Sequence, residues 1–299
     1  MIIKKLSDLK NIAARGSKKR LVLAAAQDPF SLNAVMKAHR DHLIEPVLIG
    51  RESEVVTLVK EFGYEAGNIT IIDEPDMEKA IELSVKMVSN NEADVLMKGK
   101  VGTSSLLKAV LNKDWGLRTG NLLSHFALFE VKTYHKLIAV ADVAMNIAPN
   151  LQEKIAIVNN SVSCLNRLGV SMPKVAVLGA VEMVNENMEA TLHAALLSKM
   201  NQRDQIKNCI IDGPLAFDNA VSFESARHKG IMSDVVGDTD LLLMPDIEVG
   251  NVLYKSLVFF AKAKVAGVIL GASAPIVLTS RSDSEEAKYY SIILAAAAS

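Results

Sequence analysis

The residues best equipped for chemistry sit near the C-terminus. In Pro275-Ile276-Val277-Leu278-Thr279-Ser280-Arg281-Ser282-Asp283 an apolar run gives way to hydroxyls, a guanidinium and a carboxylate. The residues that follow, through Glu285, Glu286 and Lys288, are expected to open a helix. Strand tips that feed helix N-termini attract small anions, because free N–H groups and the positive end of the helix dipole face the same space. Arginine adds a flat, permanently charged fork that fits phosphate or carboxylate. The segment therefore suits a small anion held beside an acid/base group. A second account needs no ligand: Ser282 as N-cap, with Glu285 three residues on, makes a capping box. That account explains Ser282, Asp283 and Glu285 but leaves Ser280 and Arg281 without a task at the end of a buried strand.

A second constellation is Met97-Lys98-Gly99-Lys100-Val101-Gly102-Thr103-Ser104-Ser105. A strand ends, glycines allow a tight turn, and a helix opens on three hydroxyls flanked by lysines. Lys98, Thr103, Ser104 and Ser105 are the candidate phosphate ligands, although the spacing is not that of a P-loop. The alternative is that Thr103 caps the helix and the lysines are solvated. A third lies in Leu243-Met244-Pro245-Asp246-Ile247-Glu248-Val249-Gly250-Asn251, continuing to Lys255. Asp246, Asn251 and Lys255 are candidates for substrate binding, Lys255 sharing a helical face with Asn251, and Gly250-Asn251 would let a ligand approach the backbone. Asp212, in Asp212-Gly213-Pro214, joins them, though that tripeptide is first of all a turn signal. Asp142 and Asn146 likewise fit turn chemistry. The histidines form no ligand set, no metal triad is evident, and no Gly-x-Ser-x-Gly elbow occurs.

The chain has 299 residues, half of them hydrophobic, and a formal net charge of −1. Such a balance offers no general attraction to nucleic acid or an anionic membrane. Cys164 and Cys209 sit in apolar surroundings and are expected to be buried thiols in a reducing cytoplasm. The N-terminus lacks the apolar core of a signal peptide. The uncharged run Val265–Ser280 is too short for a membrane span and contains Gly267, Gly271 and Pro275. It fits two buried strands with a bend.

Short Val/Ile/Leu runs alternate with helical patterns along the chain, which predicts an α/β fold with largely parallel sheets. The rhythm breaks between 122–129 and 136–142, where a short polar link without a helix implies an antiparallel pair or a crossing between domains. The expected organisation is a first domain of 1–135 plus 273–299 and an inserted second domain of 136–272.

Taken together, Lys98–Ser105, Ala141–Asn146, Asp212–Asn219, Met244–Lys255 and above all Thr279–Asp283 resemble the phosphate acetyltransferase/butyryltransferase family over most of the chain. The Ser-Arg-Ser-Asp-Ser form is nearer to the butyryl and branched-chain branch. The resemblance implies a two-domain isocitrate/isopropylmalate-dehydrogenase-like fold with an inter-domain cleft. It implies exchange of a short acyl group between coenzyme A and inorganic phosphate, with the thioester as substrate, no tightly bound cofactor, and homodimers or larger assemblies. Ser280, Arg281 and Asp283 would be catalytic. The acetyl branch carries an aspartate where Ala287 stands here, so Asp283 or Glu286 would substitute, or another segment would supply the acid; the choice here is Asp283. Two rivals remain: a metal- and NAD(P)-dependent dehydrogenase of the same fold, like 4-hydroxythreonine-phosphate dehydrogenase, and a non-catalytic coenzyme A or phosphate binder.

Overall fold

The structure is a computed structural model that describes residues 3–279 and 283–299. Ser280, Arg281 and Ser282, on which part of the expected site rests, lie outside the described residues. The chain forms two bodies: Ser7–Asn121 with Ala266–Ser299, and, inserted between them, Leu122–Val265 with the residues up to Leu6.

The first body begins with α1 (Leu9–Ala13), β1 (Lys19–Ala24), α2 (Pro29–Arg40), β2 (Ile44–Gly50), α3 (Glu52–Glu61), β3 (Thr70–Asp73), α4 (Met77–Ser89), β4 (Val95–Lys98) and α5 (Thr103–Val110). The second contains β5 (Ser124–Glu130), β6 (Ile138–Ala141), α6 (Leu151–Arg167), β7 (Lys174–Leu178), α7 (Glu189–Gln202) and β8 (Ile210–Leu215). It continues with α8 (Phe217–Val221), α9 (Phe223–His228), β9 (Leu241–Leu243) and α10 (Ile247–Phe259). The chain returns through β10 (Lys264–Leu270) to β11 (Ile276–Val277) and α11 (Glu285–Ala298).

In the first body the strands lie in the order β3-β2-β1-β4-β11-β10 and pair in parallel up to β11, with β10 antiparallel to it. In the second the order is β5-β6-β9-β7-β8, parallel except for the β5–β6 pair. This is the expected α/β architecture. Its cause is visible in β1, where Leu21, Val22, Leu23 and Ala24 are all fully buried: helices cover both faces, so alternation disappears. Cys164 and Cys209 are buried as expected, and burial pushes their thiols up to about 12 and about 11. No helix of the described residues is long and apolar enough to cross a membrane.

Several local features depart from what the sequence predicts. The contacts group Leu122–Val265 in one body, whereas the sequence suggests a boundary near 135. Antiparallel pairing of Ala127, Leu128 and Phe129 with Val140, Ala139 and Ile138 is the reason, since a cut at 135 would split that hairpin. Asp212-Gly213-Pro214 is not a turn but the interior of β8. Gly213 is needed there because a Cβ would lie 2.7 Å from the Val177 carbonyl oxygen. Helix α11 takes Ser284 as its N-cap, its hydroxyl accepting the Ala287 N–H at 3.1 Å, so the Ser282–Glu285 capping box gives way to a cap two residues later.

Candidate functional site

Chain order fixes where a ligand can enter the first body. From β1 the chain winds outward through β2 to β3, then returns to the other side of β1 as β4. The β1/β4 boundary is thus a topological switch point, and in open α/β sheets ligands bind outside the strand carboxyl ends at such points. The register sets three tips side by side: Ala24 pairs with Lys98, and Val277 of β11 with Met97 of β4.

The β4 tip is tied to the β1 tip by backbone. Gly99 N–H donates to the Ala24 carbonyl and Lys100 N–H to the Ala25 carbonyl, each at 2.9 Å. The strands approach so closely that a Cβ on Gly99 would sit 2.2 Å from the Ala25 oxygen, so glycine is required there. Three residues on, α5 starts with Gly102 as N-cap and no side chain capping it. Thr103 does not cap its own helix, contrary to the simpler alternative. Thr103 and Ser104 are exposed and Ser105 half-buried. They surround an N-terminus whose dipole and N–H groups favour an anion. Lys98 is buried and turns its ammonium onto the carbonyls of Gly99 and Val101, at 3.3 and 3.2 Å, where it braces the turn.

Beyond β11, Thr279 is the last described residue before Ser280 and Arg281, and it is 8% exposed. The parallel register carries the chain out of β11 beside the tip that feeds α5. Asp283 is half-buried at the approach to α11, and Glu286 is exposed in the first helical turn.

Sequence reasoning assigned no role to Lys288, which is buried and donates to the Thr279 hydroxyl at 3.4 Å. Burial pulls its ammonium below the usual lysine range, although Asp283 and Asp28 pull the other way. An ammonium near a helix N-terminus also opposes the dipole, so those carboxylates help keep it charged. Asp28 is the N-cap of α2, accepting the Ser31 hydroxyl at 2.5 Å. Its Asp-Pro step was a legible helix-start signal. Lys288 had none, because a lysine four residues into a helix reads as solvated.

The remaining candidates belong to the second body. Asp246 caps α10, its carboxylate accepting the Val249 N–H at 2.9 Å. Asn251 donates to the Val143 carbonyl at 3.5 Å, and the Lys255 ammonium lies 5.4 Å from the Tyr254 ring centre. Asp212 sits mid-strand, level with Ala176, and accepts its neighbour Gly213's N–H. It is therefore not brought to the β9 tip with Asp246. Gly250 serves packing, since a Cβ there would meet the Asp142 carbonyl oxygen at 2.3 Å. Asp142 is 2% exposed and accepts the N–H groups of His125, Ala144 and Met145 and the Asn146 amide, which is turn chemistry.

Residues 74–296 match the family model described as phosphate acetyl/butaryl transferase. The chain is 48% identical over 296 residues to a phosphate acetyltransferase of Thermotoga maritima, covering 99% of each. It is 47% identical over 278 residues to a phosphate butyryltransferase of Clostridium acetobutylicum, covering 93% of this chain and 92% of that one. Among solved structures, a branched-chain phosphotransacylase from Enterococcus faecalis superposes with a TM-score of 0.83 at 32% identity, covering 94% of this chain and 98% of that one.

Proposed function

The chain belongs to the phosphate acetyl/butaryl transferase family, and from that premise we propose that it moves a short acyl group between coenzyme A and inorganic phosphate. The observation that carries the assignment to residues is the parallel β4–β11 register, which supports a common anion site for the α5 N-terminus and the segment after Thr279. Phosphate meets the N–H groups and hydroxyls of Thr103, Ser104 and Ser105, and Arg281 supplies the opposing charge. A phosphate oxygen attacks the thioester carbonyl carbon. Ser280 and Arg281 donate to the carbonyl oxygen as negative charge gathers on it. The C–S bond breaks and the thiolate leaves, taking up a proton. In the reverse direction Asp283 accepts the thiol proton, because the thiolate is the nucleophile. Holding two anions at one carbon is itself a large part of the work, worth up to ~7–11 kcal/mol with ideal positioning.

The acyl group is butyryl or a branched short chain, acting in the cytoplasm in a homo-oligomer. Relatives named for acetyl and for butyryl transfer are equally similar to this chain, and one methylene in an apolar pocket is worth only about 1–3 kcal/mol. The deciding experiment follows thiol release from acetyl-, butyryl- and isobutyryl-CoA, with and without phosphate. Release should require phosphate and run fastest with the four-carbon thioesters. Absence of phosphate-dependent release, with hydride transfer to NAD(P) from a hydroxy acid, would favour the dehydrogenase rival. Tight CoA binding without turnover would favour a binding protein.

Asp283 is tested separately. Asp283→Asn keeps the shape and removes the proton acceptor, so the acyl-phosphate-to-CoA direction should slow by about 10²–10⁴-fold. An unchanged rate and pH profile would transfer the role to Glu286 or to a carboxylate of another segment.

A further inference from the structure

Helix α11 is buried almost all round, and among its buried residues Lys288 is the charged one. The placement is unfavourable twice over. Ser284 is the N-cap, so Lys288 ends the first turn, where the helix dipole repels a cation. The residue is also enclosed, at 3% exposure, and burial disfavours a charged amine. What the ammonium meets accounts for it. Helical side chains lean toward the N-terminus of their own helix. Lys288 therefore reaches back past Ser284 to the tip of β11, where it donates to the buried Thr279 hydroxyl. The carboxylates of Asp283, at the approach to α11, and of Asp28, the N-cap of α2, act on the same ammonium. In chain order Thr279 and Asp283 flank Ser280, Arg281 and Ser282. One buried cation thus acts on both ends of the segment assigned to the chemistry. Its base is fixed: the neighbouring Tyr289 donates its hydroxyl to Asp41 at the end of α2, and Asp41 also pairs with Lys10 at 3.0 Å.

We propose that Lys288 is a positioning residue for acyl transfer: its ammonium holds the two ends of the Thr279–Asp283 segment and so aims Arg281 at the reacting carbonyl. With a hydroxyl and two carboxylates around it, the ammonium serves the chain and not the ligand. The inference rests on the acyl-transfer reading above and adds to it a residue that meets neither phosphate nor thioester. Its contribution passes through Arg281. Removing the ammonium therefore leaves the guanidinium present but misplaced, and the loss falls on the transition state, where Arg281 donates, before it falls on binding.

Steady-state kinetics of phosphate-dependent thiol release test it on the full chain. The variants are Lys288→Met, Thr279→Val, Arg281→Ala and the double variant of Lys288→Met with Arg281→Ala, each with its thermal unfolding midpoint. Lys288→Met should lower kcat about 10²-fold, the loss that follows a misplacement of about 1 Å, and leave KM for phosphate within about twofold. Its midpoint should stay level or rise, because a desolvated charge leaves the positive end of a helix and the two carboxylates are only half-buried. Thr279→Val, which removes one anchor and keeps the ammonium, should lower kcat about tenfold. In the Arg281→Ala background Lys288→Met should change kcat by less than about twofold, since nothing is left to aim. Equal losses in both backgrounds would overturn the inference, as would an unaffected Thr279→Val. A rise confined to KM for phosphate would make the ammonium a phosphate ligand, and a midpoint that falls together with activity would make it a structural support; either result overturns the positioning role. Lys288→Met with the original activity would overturn this inference alone. Absence of phosphate-dependent release from the unaltered protein would overturn the acyl-transfer reading with it.

Discussion

Replacing Arg281 by alanine is expected to lower kcat/KM for phosphate-dependent thiol release by about 10²–10³-fold, the cost of losing one preorganised charge donor at a developing oxyanion. The α5 N-terminus still offers N–H groups and hydroxyls, which is why activity should not vanish. Arg281→Lys should recover part of the loss, because it keeps the charge but not the two-pronged donor geometry. Circular dichroism and the thermal midpoint should stay near those of the unaltered protein. A loss confined to KM for phosphate, with kcat unchanged, would mean that Arg281 binds the anion without acting on the transition state. Activity within twofold of the original would remove Arg281 from the mechanism altogether.

The largest effect on stability is expected at Lys136, far in character from the reacting groups. Its side chain is 8% exposed, and its ammonium lies 2.6 Å from Asp240 and 2.9 Å from Asp238 at the start of β6 and β9. It also donates to the Asp238 carbonyl at 2.9 Å. Lys136→Met keeps the length and removes the charge, leaving Asp240 largely buried without its cation. The cost should be about 3 kcal/mol, seen as a fall of about 6–12 °C in the unfolding midpoint. The pH dependence carries a definite sign. Burial alone would raise the Asp238 carboxyl, but hydrogen bonds from Lys174, His135 and Lys136 outweigh it and hold the group well below the usual carboxylate range. A depressed carboxylate contributes stability that is present above its unfolded value near 3.9 and is lost as pH falls toward the folded value. The gap between the two proteins should therefore be full at pH 7 and narrow below about pH 4. A gap that stays constant to pH 2.5 would show that the loss comes from packing and not from charge.

The periodicity of hydrophobic residues was enough to define the class of fold. Unbroken runs such as Leu21–Ala24 and Val95–Met97 announce strands covered on both faces, and the structure places both at the centre of a parallel sheet. The helix-free link after Phe129 left an antiparallel pair and a crossing between domains both open, and the structure makes it the antiparallel β5–β6 pair. Where local signals misled, a long-range contact overrode them. Asp212-Gly213-Pro214 has turn chemistry but lies in β8, because Val177 and Ala194 press on Gly213.

For the site, residue type alone identified Gly99 and Gly102–Ser105 as a strand-to-helix turn, since glycine and hydroxyl chemistry is written locally. The sequence also offered Thr279–Asp283 as the other half of the proposed chemistry. It could not say that β11 comes to lie beside β4, because strand order depends on which distant surfaces pack, and 97 and 277 are distant in the chain. Nor could it separate Lys98 and Lys288 from ordinary surface lysines. Their burial, and the carbonyls, hydroxyl and carboxylates around them, exist only once the strands have assembled. A side chain's type is fixed by the sequence, but its solvent and its neighbours are set by the tertiary fold, and these decide whether a charge sits in water or shapes a site.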